Sequence, residues 1–510
     1  MVQMSRRMFL LGASAAAGAM ALGGPVGCAR PGVAGNPVGP GAEAVRRLEA
    51  QRRTTGQAVV AAQVTARPVQ VDLGGTVVST WGYGDTLPGP LLRARAGDLL
   101  QVRVDNRLEA DTSIHFHGIA MSNDMDGVPG LTQEPIVAGE SFTYEFTPPH
   151  PGTYFYHSHT GLQLDRGLYG VVVIDDPAEP GGYDDEWVVV LDDWVDGTGR
   201  TPDDVARELG MPAPGRLAPR AGGMGSMMDH GAMGGMGSMM GAESMRSDLL
   251  GGAGDVNYSY YLLNGRTPVD PVTLTAAPGR RVRIRLVNAA SDTAFRVGLG
   301  GHAMTVTHSD GFPVSPRNTD AVLIGMGERF DVLVTLADGV FPLYAAAEGK
   351  PGHAVAVVRT AAGPGIGGGR PGELDRRVLL GTALSPAEQV RLPRRSHDNY
   401  LSVDMGGTMA PYRWMLNGAT FPDTAPLTVA QGQRVRMRLR NMSAMFHPMH
   451  VHGHTFALVD GGARKDTVTV RPMQTVEIEF DADNPGQWAL HCHNAYHQEA
   501  GMMTTLSYRA

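Results

Sequence analysis

Ten of the chain's 17 histidines fall in four short clusters, HFHG at 115–118, HSH at 157–159, HPMHVH at 447–452 and HCHNAYH at 491–497, and Cys492 stands inside the last. Imidazoles and a thiolate at this density are a donor set for copper. Side chains alternate along an extended strand, so His-X-His aims both rings at one face. In His491-Cys492-His493 the thiolate then points away from both imidazoles, and one strand can hold a metal on each side. Two kinds of copper site joined by a single peptide path are what an electron-transferring oxidase needs. Zinc also accepts Cys and His, but it exchanges no electrons and would leave the other histidines unexplained.

The elements that position these residues come from an internal triplication. TWGYGDTLPGPLLRARAGDLLQVRVDN ends at Asn106, LLNGRTPVDPVTLTAAPGRRVRIRLVN at Asn288 and MLNGATFPDTAPLTVAQGQRVRMRLRN at Asn441, each with a glycine nine residues before the Asn (Gly97, Gly279, Gly432). Apolar and charged residues alternate in between, as in Arg281-Val282-Arg283-Ile284-Arg285-Leu286, which predicts a strand with one face buried. Nine and eleven residues after the Asn stand His115 and His117 in the first copy and His450 and His452 in the third, but Val297 and Leu299 in the second. A second register starts at a Gly turn. Five and seven residues after Gly152 and Gly486 come His157 and His159, then His491 and His493, whereas Gly339 leads to Tyr344 and Ala346. The outer copies thus donate four equivalent histidines each, predicting a metal site at their pseudo-symmetric interface with the middle copy as a spacer. Cys492 corresponds to Ser158, so only the third copy can build a thiolate site.

At 510 residues the chain is long enough for about three domains; its Gly and Pro content favours strands and turns. A net charge of −8 without a basic tract argues against a nucleic-acid partner. The cysteines are Cys28 and Cys492, and no disulfide between them is expected, because Cys28 sits in what resembles an export signal. Ser5-Arg6-Arg7-Met8-Phe9-Leu10-Leu11 and the Ala/Gly-rich run to Gly24 resemble a twin-arginine signal. That route exports proteins already folded, which suits a metalloenzyme loaded inside the cell. The apolar run is shorter than the roughly 18–20 residues of a membrane span. Val26-Gly27-Cys28 resembles a lipobox that would anchor the protein through a lipid on Cys28, although Pro25 stands where such boxes prefer Leu. The expected location is the periplasm or cell envelope.

A thiolate with two histidines and a weak axial Met is a blue-copper ligand set; Cys492, His497, Met502 and His447 supply it. Across residues 55–510 the four motifs occur in the order found in three-domain multicopper oxidases, the laccase and cuprous-oxidase family, and the chain resembles the exported copper-resistance oxidases of mycobacteria and related bacteria. That resemblance implies an all-β fold of three cupredoxin-like Greek-key β-sandwich domains and four copper ions that reduce dioxygen to water. It implies type 1 copper at His447, Cys492, His497 and Met502, type 2 copper at His115 and His450, and a type 3 pair at His117, His157, His159, His452, His491 and His493. It also makes Asp126 the acid assisting proton delivery, where the plain alternative is a turn Asp. The acid that some relatives carry directly after the last type 1 His is Gln498 here, with Glu499 one residue displaced. His150 and His454 lie off the pattern. Domains are expected at 55–178, 179–362 and 363–510, after a signal at 1–28 and a tether at 29–54.

The substrate is read from residues 222–245, which hold eight methionines among many glycines. Thioether sulfur prefers cuprous copper, and Gly-rich backbone lets several sulfurs converge, so Met224, Met227, Met228, Met233, Met236, Met239 and Met240 are candidate substrate-copper ligands. The alternative is a low-complexity loop in which Met is tolerated. Met442 and Met445 precede His447; Met445 resembles a substrate-copper ligand of cuprous oxidases, whereas their acidic partner is Ser443 here. The expected activity is oxidation of Cu(I) to Cu(II) for detoxification. Laccase-like oxidation of small phenols and aromatic amines, or copper sequestration without turnover, are the alternatives.

Overall fold

The structure, a computed structural model, describes residues 33–179, 181–211 and 246–510. The export signal, Cys28 and the methionines of 222–245 lie outside the described residues. Among those described, no helix is long and apolar enough to cross a membrane.

Each repeat builds the same strand. Gly97, Gly279 and Gly432 turn the chain at φ 88°, 79° and 87°, a region open to glycine at no steric cost, and the strands Leu99–Asn106, Arg281–Asn288 and Arg434–Asn441 follow. Each pairs in parallel with a preceding strand (Val59–Asp72, Asp185–Trp194, Asn399–Met409) and antiparallel with a later one (Ser141–Phe146, Arg329–Thr335, Thr475–Asp481). A second sheet carries the histidine motifs. Its order is Leu92–Arg95, Tyr169–Asp175, Gly152–His157, His115–His117 in the first copy, and Leu427–Val429, Met503–Tyr508, Gln487–Cys492, His447–Val451 in the third. The middle copy repeats it with Thr273–Thr275, His353–Arg359, Val340–Ala347 and Phe295–Leu299. Neighbours in space that are not neighbours in sequence give the Greek-key sandwich of a cupredoxin, three times over.

The repeat Asn has a physical reason. In all three copies its Nδ2 donates to two backbone carbonyls, Ala110 and Ile136, Thr293 and Ile324, or Met445 and Val470. Its Oδ1 accepts the N–H two residues on, from Leu108, Ala290 or Ser443. One buried amide thus pins the loop between the sheets. The histidine strands fall in equivalent register, His115 opposite His157 and His450 opposite His491. In the middle copy Val297 faces Ala345, one residue beyond the Tyr344 expected from spacing.

The expectation of one buried face fails for the middle strand. Arg283 and Arg285 are as buried as their apolar neighbours, because the first copy covers their side of the sheet. They converge on Asp331, which also accepts from Thr153 of the first copy at 2.8 Å. Residues 33–52, expected to be part of a tether, are docked. Pro37 bridges Arg509, Gln487 Nε2 donates to Val38 O, and Glu49 of the helix Glu43–Arg52 accepts from Thr147 N.

Candidate metal centres

The two strands of each outer copy bring their histidines to one buried interface. There the donor atoms form the sets His117, His157, His493 and His159, His452, His491, with His115 and His450 beside His117 in a third; within each set they lie within 4.8 Å of one another. His115 stacks on His452 at 3.8 Å between centroids and His117 on His450 at 3.7 Å, so each stack joins the first copy to the third. His491 and His493, one residue apart from Cys492 on either side, enter different sets. Cys492 turns away from both. Its Sγ lies 3.6 Å from Nδ1 of His447 and of His497, and those two nitrogens approach to 3.1 Å. Met502 is fully buried alongside, its N–H donating to His497 O and its carbonyl accepting from Cys492 N.

These pockets ask for cations. His115, His157 and His450 each place Nδ1 within 2.8–3.0 Å of a backbone carbonyl, of Asp126, Ser158 and Asp466 respectively. An N–H donated there leaves Nε2 with a free lone pair, and all three Nε2 atoms are buried without a partner. His117 Nδ1, His159 Nε2 and both nitrogens of His493 are likewise buried and unpartnered. Buried polar atoms are almost always satisfied, and ligating histidines usually have the far nitrogen tied in this way. Burial lowers the basicity of His117, His159, His450 and His493, and that of His157 to about 3, where charge on His115 adds to the effect. Neutral imidazoles are what a metal binds. Burial also pushes the Cys492 thiol up, with Asp292 and Asp255 contributing, so a thiolate there needs a cation beside it. Soft sulfur with imidazole in one set and imidazole alone in the others fits copper.

Asp126 lies between the rings it was expected to serve. Its carboxylate accepts from His452 Nδ1 at 3.0 Å, and its carbonyl faces His115. Glu499 is exposed at the end of the short helix Ala495–Glu499 and Gln498 is half-buried. His454 is occupied by Tyr508 Oη at 2.6 Å and His452 O at 3.0 Å. Met442 is half exposed. Met445 is half-buried, and a Cβ built on Gly252 would meet its Sδ at 3.4 Å.

The middle copy is not a spacer. Its Asp255 accepts from His497 Nε2 at 2.9 Å and from Tyr412 Oη at 2.8 Å. Its Asp292 accepts from Nδ2 of Asn494 at 2.6 Å, the residue that caps the His497 helix. Its Gly327, at φ 79°, packs so close that a Cβ would lie 2.9 Å from the His493 ring and 3.0 Å from that of His117. Its Arg329 forks onto Asp466 of the third copy, whose Oδ1 lies 3.0 Å from His117 Nε2. Burial alone would raise the Asp466 carboxyl, but the guanidinium outweighs it and holds it well below the usual range. Asp255, Asp466 and Ser443, whose Oγ lies 2.8 Å from His447 Nε2, escape sequence reading as metal-site residues. Asp466 follows Lys465 in an unremarkable KDT, and Asp255 carries no spacing relation to a histidine.

Profiles described as multicopper oxidase match residues 64–179, 228–362 and 394–510. Over 471 residues the chain is 49% identical to multicopper oxidase MmcO of Mycobacterium tuberculosis, covering 91% of this chain and 90% of that protein. It is 30% identical to a copper resistance protein A homolog of Pseudomonas syringae pv. tomato, covering 86% of this chain and 90% of that protein. A solved multi-copper oxidase from Pseudomonas thermotolerans superposes with TM-score 0.67 at 28% identity, covering 89% of this chain and all of that one. The chain belongs to the multicopper oxidase family. It is an oxidoreductase whose cofactors are four copper ions, one type 1, one type 2 and a type 3 pair.

Proposed function

We propose that this oxidase takes its electrons from Cu(I), releasing Cu(II), and that its role is copper detoxification. The observation that carries the reading is the course of the chain downstream of the Met-rich stretch. Ser247 is tied to Glu348, Gly252 lies on Met445, and Asp255 meets His497. Residues 247–255 thus run beside the thiolate site, and the Met-rich stretch directly precedes them in sequence. The copper-resistance name of a relative supports the same substrate class.

In this reading Cys492, His447, His497 and Met502 would hold type 1 copper, His115 and His450 type 2, and the two three-histidine sets the type 3 pair. Bound there, the four coppers supply the one-electron steps by which four Cu(I), one dioxygen and four protons become four Cu(II) and two waters. The protein's own residues take the following parts in this reading. Met442 and Met445, with the methionines of 222–245, receive substrate Cu(I). Cys492 and its two flanking histidines are the covalent path between the sites. Asp126 holds His452 through Nδ1 and is the proposed station for protons entering the cluster. Burial of the histidine interface keeps bulk water out.

We also infer export by the twin-arginine machinery from the Ser5–Leu11 motif, with lipidation at Cys28 as its membrane anchor. Deleting 222–245 tests the substrate assignment. Steady-state Cu(I) oxidation should fall while phenol oxidation stays level or rises; undiminished Cu(I) turnover would refute the assigned role of the segment and favour the laccase-like alternative. Absence of dioxygen uptake with Cu(I) would instead point to sequestration.

A further inference from the structure

We propose that Arg329, from the copy that donates no histidine, is a positioning residue for the trinuclear copper site: it clamps Asp466 so that this carboxylate sets the orientation and tautomer of His117. The inference rests on the copper assignment above. His115, His157, His450 and His491 are oriented through Nδ1 by backbone carbonyls, which the strands fix. His117 faces side chains instead, Asp466 Oδ1 and Thr467 Oγ1, each at 3.0 Å from Nε2. An N–H donated from Nε2 to the carboxylate leaves Nδ1, buried and unpartnered, as the atom free to bind. Where the carboxylate points therefore decides where that lone pair points.

Arg329 decides where the carboxylate points. Nη1 and Nη2 reach Asp466 Oδ1 and Oδ2 at 2.7 and 2.5 Å, a two-pronged contact that fixes the plane of the acceptor. The guanidinium is itself held by the first copy and by its own. Nε donates to Thr153 O of the first copy at 3.1 Å, and Nη1 to Gly327 O of the turn packed against the His117 and His493 rings at 2.8 Å. Arg329, Asp466 and His117 are all fully buried, so water cannot replace a lost prong. Asp310 completes the node, accepting from Arg329 N and facing Lys465 Nζ at 3.0 Å. One side chain thus registers all three copies against a single imidazole.

The test uses full-length Arg329→Met, Arg329→Lys and Asp466→Asn, each loaded with copper alongside the wild type. Four coppers per chain and a blue band in the wild type establish the copper assignment independently of the variants. Arg329→Met and Asp466→Asn should keep the blue band per chain yet hold cluster copper about 10- to 100-fold more weakly, the usual cost of losing a ligand's supporting partner, with an altered type 2 electron paramagnetic resonance signal. Arg329→Lys keeps the charge without the fork and should fall between. If Arg329→Met does not fold, Arg329→Lys and Asp466→Asn decide. Full copper content with a wild-type type 2 signal in those two variants would overturn the proposal. So would loss of the blue band in step with the cluster copper, which marks general unfolding rather than positioning.

Discussion

The two kinds of proposed copper site are secured in opposite ways. The histidine cluster spans two copies, and four of its rings are tied by Nδ1 to backbone carbonyls. The thiolate site lies within one copy, and its two rings are tied by Nε2 to side chains, Ser443 and Asp255. Carbonyl anchors move only with the sheet, which suits a site where several metals must keep their spacing through repeated turnover. Side-chain anchors lead outward, and Asp255 belongs to the segment that comes from the Met-rich stretch. The first arrangement isolates; the second connects.

Substitutions sort along this contrast. The largest effect is expected from Cys492→Ser, which removes the sulfur on which both halves depend: visible spectroscopy should find no blue band and oxygen-electrode assays no turnover. Next is Asp126→Asn. It weakens the acceptor at His452 Nδ1 and should lower kcat by about 10- to 100-fold while the blue band persists; a loss of blue colour here would break the separation of the two sites. Asp255→Asn should act the other way, changing the blue band and lowering kcat/KM for Cu(I) by about 10-fold, at the lower end of such losses. The type 2 resonance should stay as it was, and a shifted one would show that the sites are not independently anchored. Ser443→Ala is the smallest. It deletes the half-buried hydroxyl that meets His447 Nε2 and also contacts Asn441 Oδ1, Met445 O and Met445 N, at about 1 kcal/mol for each hydrogen bond lost, so Cu(I) turnover should change by no more than a few-fold and thermal unfolding by a few degrees.

Much of this was legible in the residues. Period-two strands, the turn glycines and the repeat Asn predict three copies of one strand unit, the family resemblance implies that each is a sandwich, and the spacing after Asn and Gly predicts which copies bear histidines. The failures share a cause. Arg283 and Arg285 read as a solvated face because a strand's own pattern cannot show a neighbouring sandwich covering it. Asp255 and Asp466 act across copies, at sequence distances of 242 and 349 residues from the rings they hold, and nothing in their local context marks them. The middle copy reads as idle because it carries no ligand motif, and its supporting residues have none to mark them.

The docked N-terminal segment carries a last consequence. Ala510 N donates to Asn36 O, and Val38 N to Tyr508 O, so residues 36–38 and the carboxyl end are sewn side by side. The same adjacency makes a circularly permuted version feasible with a linker of only a few residues, opening the chain at an exposed loop while the seam between the outer copies stays closed.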